Sequence, residues 1–401
     1  MNRVWDRLKK QKRILAALVI VLAAACVELI ANVHALKGGY DALDISRNIT
    51  VIEEGGVEKY RVQFQAADGI YVRQIRLLGN FPENTIYRIK TKEINGFGKK
   101  EAGSYSDTVS SYFPEYSTNL GKKVTSLRIT MKKTEGMELK GVALSNRFEL
   151  NKFRVLFVLV LLSLLYAIGF EKAFVKNVEW YFAAFALSFG ILLIALAQPM
   201  CNSWDEQIHF KRTYTIASGR TVKWSEAAQD IVERTNFRCN TKAEFAQLRA
   251  YMNEKGKHAV KQEERASMLI SYKDVAYLPM ALFLGIGKLL HLPFSMLFAF
   301  GKFGNLFLYV FVMFWAIRLA KSKKLAFIAM MPTSLFQACA YTYDAVVFSF
   351  LTLGCVLWCR ETFFGEERIH VPGVLGAGCL FVFGCLSKAV YIPVVLLLLL
   401  L

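Results

Sequence analysis

The sequence predicts a polytopic α-helical membrane protein with a β-sandwich domain inserted after its first span. Three observations carry that reading. Hydrophobic residues make up 54% of the 401-residue chain, mean hydropathy is +0.32, and the apolar residues gather in long runs. Basic residues flank those runs: Arg3, Arg7, Lys9, Lys10, Lys12 and Arg13 precede the first, and Arg318, Lys321, Lys323 and Lys324 follow a later one. Between about residues 40 and 147 the pattern changes, and four short segments alternate apolar and polar side chains, the period of half-buried strands.

The net charge of +18 would suggest a nucleic-acid partner for a soluble chain. Its placement beside apolar runs follows the positive-inside rule instead, so the partner it implies is the lipid bilayer and not nucleic acid.

Residues 1–37 form a cytoplasmic basic segment and a first span, apolar over 14–35 with Glu28 near its far end. Apolar character continues past Ala23-Ala24-Ala25-Cys26, which favours a retained anchor over a cleaved leader. Residues 38–150 form an extracytoplasmic β-sandwich, with strands expected at 60–64, 71–77, 86–90 and 127–131. Breaks fall at Glu53-Glu54-Gly55-Gly56, Gly79-Asn80 and Asn95-Gly96-Phe97-Gly98. A ligand-binding module and a plain packing domain both fit it. Residues 151–198 hold spans at 153–170 and 180–197, joined by the short 171–177.

Residues 199–293 form an extracytoplasmic loop. It carries an acidic motif, amphipathic surface helices over 198–273, and an apolar piece at 275–292 that is short and holds Pro279. If that piece crossed the membrane, the span at 294–320 would deliver Lys321-Ser322-Lys323-Lys324 outside, against the charge rule. An interfacial or re-entrant segment keeps it cytoplasmic. Residues 294–401 then hold spans at 294–320, 325–342 (kinked at Pro332), 345–358 and 374–386. The run from Val390 is shorter than a full span and reads as unfinished.

Cys26, Cys339, Cys355, Cys359, Cys379 and Cys385 lie in apolar runs and read as packing residues. Cys201 and Cys239 fall in the polar loop and can pair if it is outside.

The loop opens on Trp204-Asp205-Glu206-Gln207-Ile208-His209-Phe210. In a helix, Asp205, His209 and Arg212 share a side, with Glu206 beside them: a base, a polar partner and a cation together. Ser203 and Glu206 also fit a capping box, so plain capping is the rival reading. The expected topology puts this motif on the same face as Lys302, Tyr343-Asp344 and Lys388, each at the end of an apolar run. Snorkelling lysines are the bland alternative for Lys302 and Lys388. A carboxylate base beside cations suits a substrate with a phosphate leaving group. A zinc protease does not fit, because Asp205-Glu206-Gln207-Ile208-His209 lacks the first histidine of H-E-x-x-H.

Taken in order, the acidic motif, Ala276-Tyr277-Leu278-Pro279, Gly301-Lys302-Phe303-Gly304-Asn305, Tyr343-Asp344 and Ser387-Lys388-Ala389-Val390-Tyr391 resemble the bacterial membrane-protein family catalogued as domain of unknown function 2142. That family's architecture is similar to the GT-C glycosyltransferases. The resemblance implies a GT-C-like fold in the bacterial cytoplasmic membrane. It implies a sugar donor linked to polyprenyl phosphate and an acceptor glycan of the cell envelope. Asp205 would be the catalytic base, with Glu206 and His209 orienting the acceptor or, for Asp205 and Glu206, holding a divalent cation (Mg or Mn). Lys302, Arg212 and Lys388 would meet the donor phosphate. GT-C proteins often carry Arg where Lys302 stands here, and lysine lacks its bidentate geometry. A transporter or lipid-linked-sugar flippase, and a non-catalytic envelope-assembly protein, are the alternatives. The chain shows no internal repeat of the kind transporters carry.

Overall fold

A computed structural model describes residues 2–109, 113–170, 176–197, 199–219, 223–233, 239, 241–261, 271–363 and 371–400. The expected connector at 171–177 and the polar stretch around 360–370 lie largely outside the described residues. The chain divides into two compact units, Met1–Leu159 with Arg238–Leu248, and Val160–Phe237 with Arg249–Leu401.

The first unit begins with the helix Asn2–Ala31, of which Gln11–Ala31 is apolar and long enough to cross a membrane. Glu28 within it is buried and not alone. Arg154 grips both carboxylate oxygens at 2.7 and 2.9 Å, and Asn32 Nδ2 and the Asn151 N–H donate at 3.0 and 2.8 Å. A charge in an apolar helix persists only with such partners, and two of them, Asn151 and Arg154, lie beyond the β-domain in sequence.

The β-domain is antiparallel: β1 (Leu43–Asp44), β2 (Ile49–Glu54), β3 (Val57–Asn80), β4 (Thr85–Ile94), β5 (Lys100–Val109), β6 (Glu115–Lys132) and β7 (Glu138–Ser145). Their order is β1-β7-β3-β6-β4-β5, with β2 also on β3. The turn at Gly55-Gly56 is a two-residue hairpin with both residues at positive φ, the geometry that the right-handed strand twist favours.

The strands expected separately at 60–64 and 71–77 are one strand. β3 runs 24 residues, about 80 Å if straight, so it bends, with register shifts between Gln65 and Ile70 and between Val72 and Gln74. The expected break at Gly79-Asn80 is likewise a bulge inside β3. The bend lets β3 and β6 serve both layers of a sandwich. Tyr87 on β4 pairs in the ladder with Met131, yet its hydroxyl meets Thr118 at the other end of β6, and Thr118 in turn donates to Asp107 on β5 at 3.0 Å. Only a sheet folded over itself brings those together. Ile75, Leu77, Tyr87, Ile89, Val124 and Leu127 fill the space between the layers.

In the second unit Val178–Leu196, Phe294–Ala320 and Asp344–Phe363 are long and apolar enough to cross a membrane. Lys152–Phe170, which starts in the first unit, and Val371–Leu386 are shorter in their described apolar parts. The helix Phe294–Ala320 is the axis of the core, with Leu306, Tyr309, Val310 and Met313 packed among Phe182, Ala186, Ala329 and Leu335. Gly190 allows that approach: a Cβ there would overlap the Leu306 side chain.

The expected span at 325–342 is not one helix. Lys323–Ala329 ends, and Pro332–Ala338 starts afresh with proline in its first turn and Met331 extended before it. The piece at 275–292 is a 3-10 turn, Tyr272–Tyr277, running into the helix Leu278–Leu289. Its 12 helical residues reach about 18 Å, well short of a bilayer core. The polar stretch holds the helices Glu206–Ser218, Glu226–Glu233 and Lys242–Lys255, and β8 (Lys223–Ser225) pairs with β9 (Ala259–Lys261). Cys201 and Cys239 are both free thiols, one in each unit.

Candidate functional site

The site is built on one face of Phe294–Ala320. Phe298, Lys302, Asn305 and Tyr309 recur at helical spacing, and each holds a different piece of the unit. The Phe298 carbonyl accepts the Tyr341 hydroxyl at 2.8 Å, and the Tyr309 hydroxyl donates to the Ala329 carbonyl at 2.8 Å. Asn305, fully buried, donates to the carbonyls of Gln337, Ala340 and Thr342. These bonds satisfy the non-helical backbone between Pro332–Ala338 and Asp344–Phe363, which otherwise has no ladder to join.

Lys302 is 1% exposed and Glu206 is at 0%. Their charged groups meet at 2.8 Å, and the Lys302 ammonium also donates to the Met200 carbonyl at 3.0 Å. Glu206 accepts from the Tyr341 N–H at 2.9 Å on one oxygen, and from the Asn202 and Ser203 N–H groups at 2.5 and 2.9 Å on the other. The capping reading is therefore half realised. Glu206 reaches back to the Ser203 amide, but the helix Glu206–Ser218 takes Asp205 as its N-cap, and the Ser203 side chain does not cap it.

Both groups of the clamp are enclosed. The Lys302 ammonium is surrounded by Glu206, Met200 and the Phe298 ring. The Glu206 carboxylate is filled by that ammonium and three N–H donors, while Asp205 is exposed. Among the described residues no group of His, Cys, Asp and Glu offers a metal its ligands. The residues present do not fit a Mg or Mn site.

Above that buried clamp lies an open layer. Asp205 sits at φ 57° and ψ 16°, a left-handed conformation that side chains other than glycine, asparagine and aspartate rarely adopt. One turn on, His209 Nδ1 meets the Tyr277 hydroxyl at 2.8 Å, and its ring stands edge-on to Tyr343 at 4.9 Å. Asp344, next in sequence to Tyr343, pairs with Lys388 at 2.8 Å. The Lys388 ammonium lies 5.4 Å from the Tyr343 ring centre and 5.8 Å from that of Tyr391. Hydrogen bonding to Asp344 raises the Lys388 pKa, keeping the ammonium charged. Asp344, Lys388 and Tyr391 also line a cavity of about 520 Å³, together with Tyr309, Phe348 and Leu351.

Arg212 is taken up by Asp274 through a two-pronged contact, one arm at 2.6 Å. Burial opposes the charge on Asp274 most strongly, but the Arg212 guanidinium and the Ser271 N–H outweigh it and hold the carboxyl below its usual range. Arg212 thus braces the 3-10 turn through Asp274. Asp274 also closes a reciprocal capping box with Ser271.

All in the second unit, Glu206 and Lys302 form the buried clamp, Asp205, His209, Tyr343, Asp344 and Lys388 the open layer, and Arg212 the brace with Asp274. Sequence reasoning missed Asp274 and gave no role to Tyr277, Asn305 or Tyr341, although Tyr277 and Asn305 stand in the motifs that carry the resemblance. Ser271-Tyr272-Lys273-Asp274 carries a capping signal that could have pointed to the first.

Burial lowers the His209 pKa below its ordinary 6.5; the nearby Asp344, Asp205 and Glu206 charges resist without reversing it. The fold thus prefers neutral imidazole. Its contribution to stability is complete above the ordinary value and is lost as pH falls through the depressed one. Melting temperature measured from about pH 7.5 down to about pH 5 should fall more steeply for the wild type than for His209→Gln. Parallel curves would place the titration elsewhere.

Apolar spans joined to a clamp of buried charges and an open layer of ionisable side chains define an integral membrane protein with a polar site built on its helices. The family described as "Predicted membrane protein (DUF2142)" matches residues 185–401, more than half of the chain and all of this site, and the chain belongs to it. No curated protein and no solved structure matches the chain.

Proposed function

We propose that the protein is a GT-C-like glycosyltransferase that moves a sugar from a polyprenyl-phosphate donor to an extracytoplasmic glycan of the cell envelope. The observation that carries this reading is the Asp344–Lys388 pair, 2.8 Å apart in the wall of a largely apolar cavity, with the exposed Asp205 one helical turn before His209, whose ring meets Tyr343 beside that pair. A lipid-phosphate donor needs those elements together: an apolar wall, a cation for the phosphate and a base for the acceptor. In this reading the basic N-terminal segment is cytoplasmic, and the acidic loop and β-domain are outside.

Asp205 takes the proton of the acceptor hydroxyl as its oxygen attacks the anomeric carbon. The bond from that carbon to the phosphate oxygen breaks on the opposite side, which inverts the configuration. Lys388 meets the negative charge that develops on the leaving phosphate, and Asp344 fixes its direction. His209 and Tyr277, hydrogen-bonded to each other, orient the acceptor. Glu206 and Lys302 hold the floor of the site and take no part in the chemistry.

A lipid-linked-sugar flippase is the second reading, favoured by the broken helix at residues 339–343, since interrupted helices line transport paths. Purified protein in nanodiscs, offered a panel of polyprenyl-phosphate sugars with envelope glycan fragments, separates the two. Transfer of label to glycan is expected. Movement of labelled lipid across the bilayer without transfer would overturn the enzyme reading.

A further inference from the structure

The outer face of one layer of the β-domain is strongly cationic. Lys59 and Arg61 on β3, Arg88 and Lys90 on β4, and Arg128 and Lys132 on β6 line a groove of about 420 Å³, with Glu54 the one carboxylate in its wall. Glu54 meets Lys59 at 3.2 Å and Arg61 at 3.7 Å. Arg88, Lys90, Arg128 and Lys132 have no ion-pair partner among the described residues.

The strand register sets the cations side by side. Lys59 stands opposite Lys132, and Lys90 opposite Arg128, while Arg61 and Arg88 flank Thr130. On β5 the exposed Ser104 and Ser106 stand opposite Lys90 and Arg88 and continue the same face. Like charges directly opposed across a ladder destabilise it. A face that served only solubility would avoid that repulsion by mixing signs. Its persistence points to a ligand that supplies the missing negative charge.

We propose that this groove binds a linear polymer carrying phosphodiester groups along a glycan or polyol backbone. Cations about 5 Å apart between strands and about 7 Å apart along them form a lattice suited to repeated anionic groups, and Arg88 and Arg128 offer bidentate contacts to phosphate. The groove wall holds no aromatic ring on which a base could stack, which argues against single-stranded nucleic acid. A concave floor in which Ile86 is the one exposed apolar side chain argues against a flat lipid surface. The proposal does not depend on the transfer reaction.

The test uses the full chain in uncharged nanodiscs and a fluorescent poly(glycerol phosphate) oligomer. Binding is expected, weakening as salt rises. Arg88→Gln with Arg128→Gln should weaken it at least tenfold and flatten its salt dependence. Lys122→Gln with Lys123→Gln, which removes as much charge outside the groove, should leave it nearly unchanged. All four side chains are at the surface, and unchanged melting temperature checks the fold. No binding by the wild type would overturn the proposal, as would equal losses from both double variants. Tighter binding of an oligothymidylate or of phosphatidylglycerol vesicles than of the oligomer would also overturn it, assigning the face to nucleic acid or membrane instead.

Discussion

Replacing Lys302 by methionine is expected to destabilise the protein by about 3–5 kcal/mol, the usual consequence of removing one partner from a buried ion pair. Methionine matches the length and much of the volume of lysine, so packing against Phe298 survives. What is lost is the one positive charge that, among the described residues, is bonded to the fully buried Glu206, whose other contacts there are the amides of Asn202, Ser203 and Tyr341. Glu206 then takes up a proton or drags water inward, and either response loosens the segment at residues 339–343 that carries Tyr343 and Asp344. Thermal unfolding in detergent, followed by tryptophan fluorescence, measures the effect. Lys302→Met combined with Glu206→Gln should lose less than the sum of the single changes, because a neutral amide no longer lacks a counter-ion. A Lys302→Met protein that melts like the wild type but binds donor poorly would restore the phosphate role to this lysine.

That division between clamp and open layer is where sequence reasoning reached its limit. The β-domain was legible because alternation reports half-buried strands directly, and the spans because apolar length reports bilayer thickness. The bend that makes one strand of residues 57–80 was not, since Gly69 reads equally well as a turn or a bulge. Nor was the broken helix after Pro332. A proline within an apolar run signals a kink, while the side chain that satisfies the freed backbone, Asn305, lies on a different helix.

The adjacent acids show the same limit at the scale of one residue. Their order in sequence does not say which is buried, but the phase of the helix does. Phe210 and Tyr214, four and eight residues beyond Glu206, are buried with it, and Thr213 completes that face. His209 and Arg212, three residues apart, fall on the neighbouring face, while Asp205 precedes the helix as its N-cap in a left-handed conformation. The apolar partners of Glu206 were present in the sequence; only the identity of its counter-charge required the fold.

Asp205→Asn is expected to lower sugar transfer by roughly a hundredfold or more, the scale of a lost general base, while stability changes by no more than about 0.5 kcal/mol. The backbone conformation makes this substitution unusually clean. Asparagine tolerates the left-handed region as aspartate does, whereas alanine there would add roughly 1–2 kcal/mol of strain. Asp205 is exposed, and its side chain does not cap the helix it precedes, so its charge can be removed without orphaning a partner. Turnover of Asp205→Asn, measured beside its melting temperature and its affinity for the lipid-linked donor, separates the roles. Loss confined to turnover marks the proton acceptor. Loss confined to melting marks a cap. A variant that folds and transfers sugar at the wild-type rate would remove Asp205 from the mechanism and shift the search to Asp344. That is the other partly exposed carboxylate of the open layer, and its bond to Lys388 would then have to break for it to act as a base.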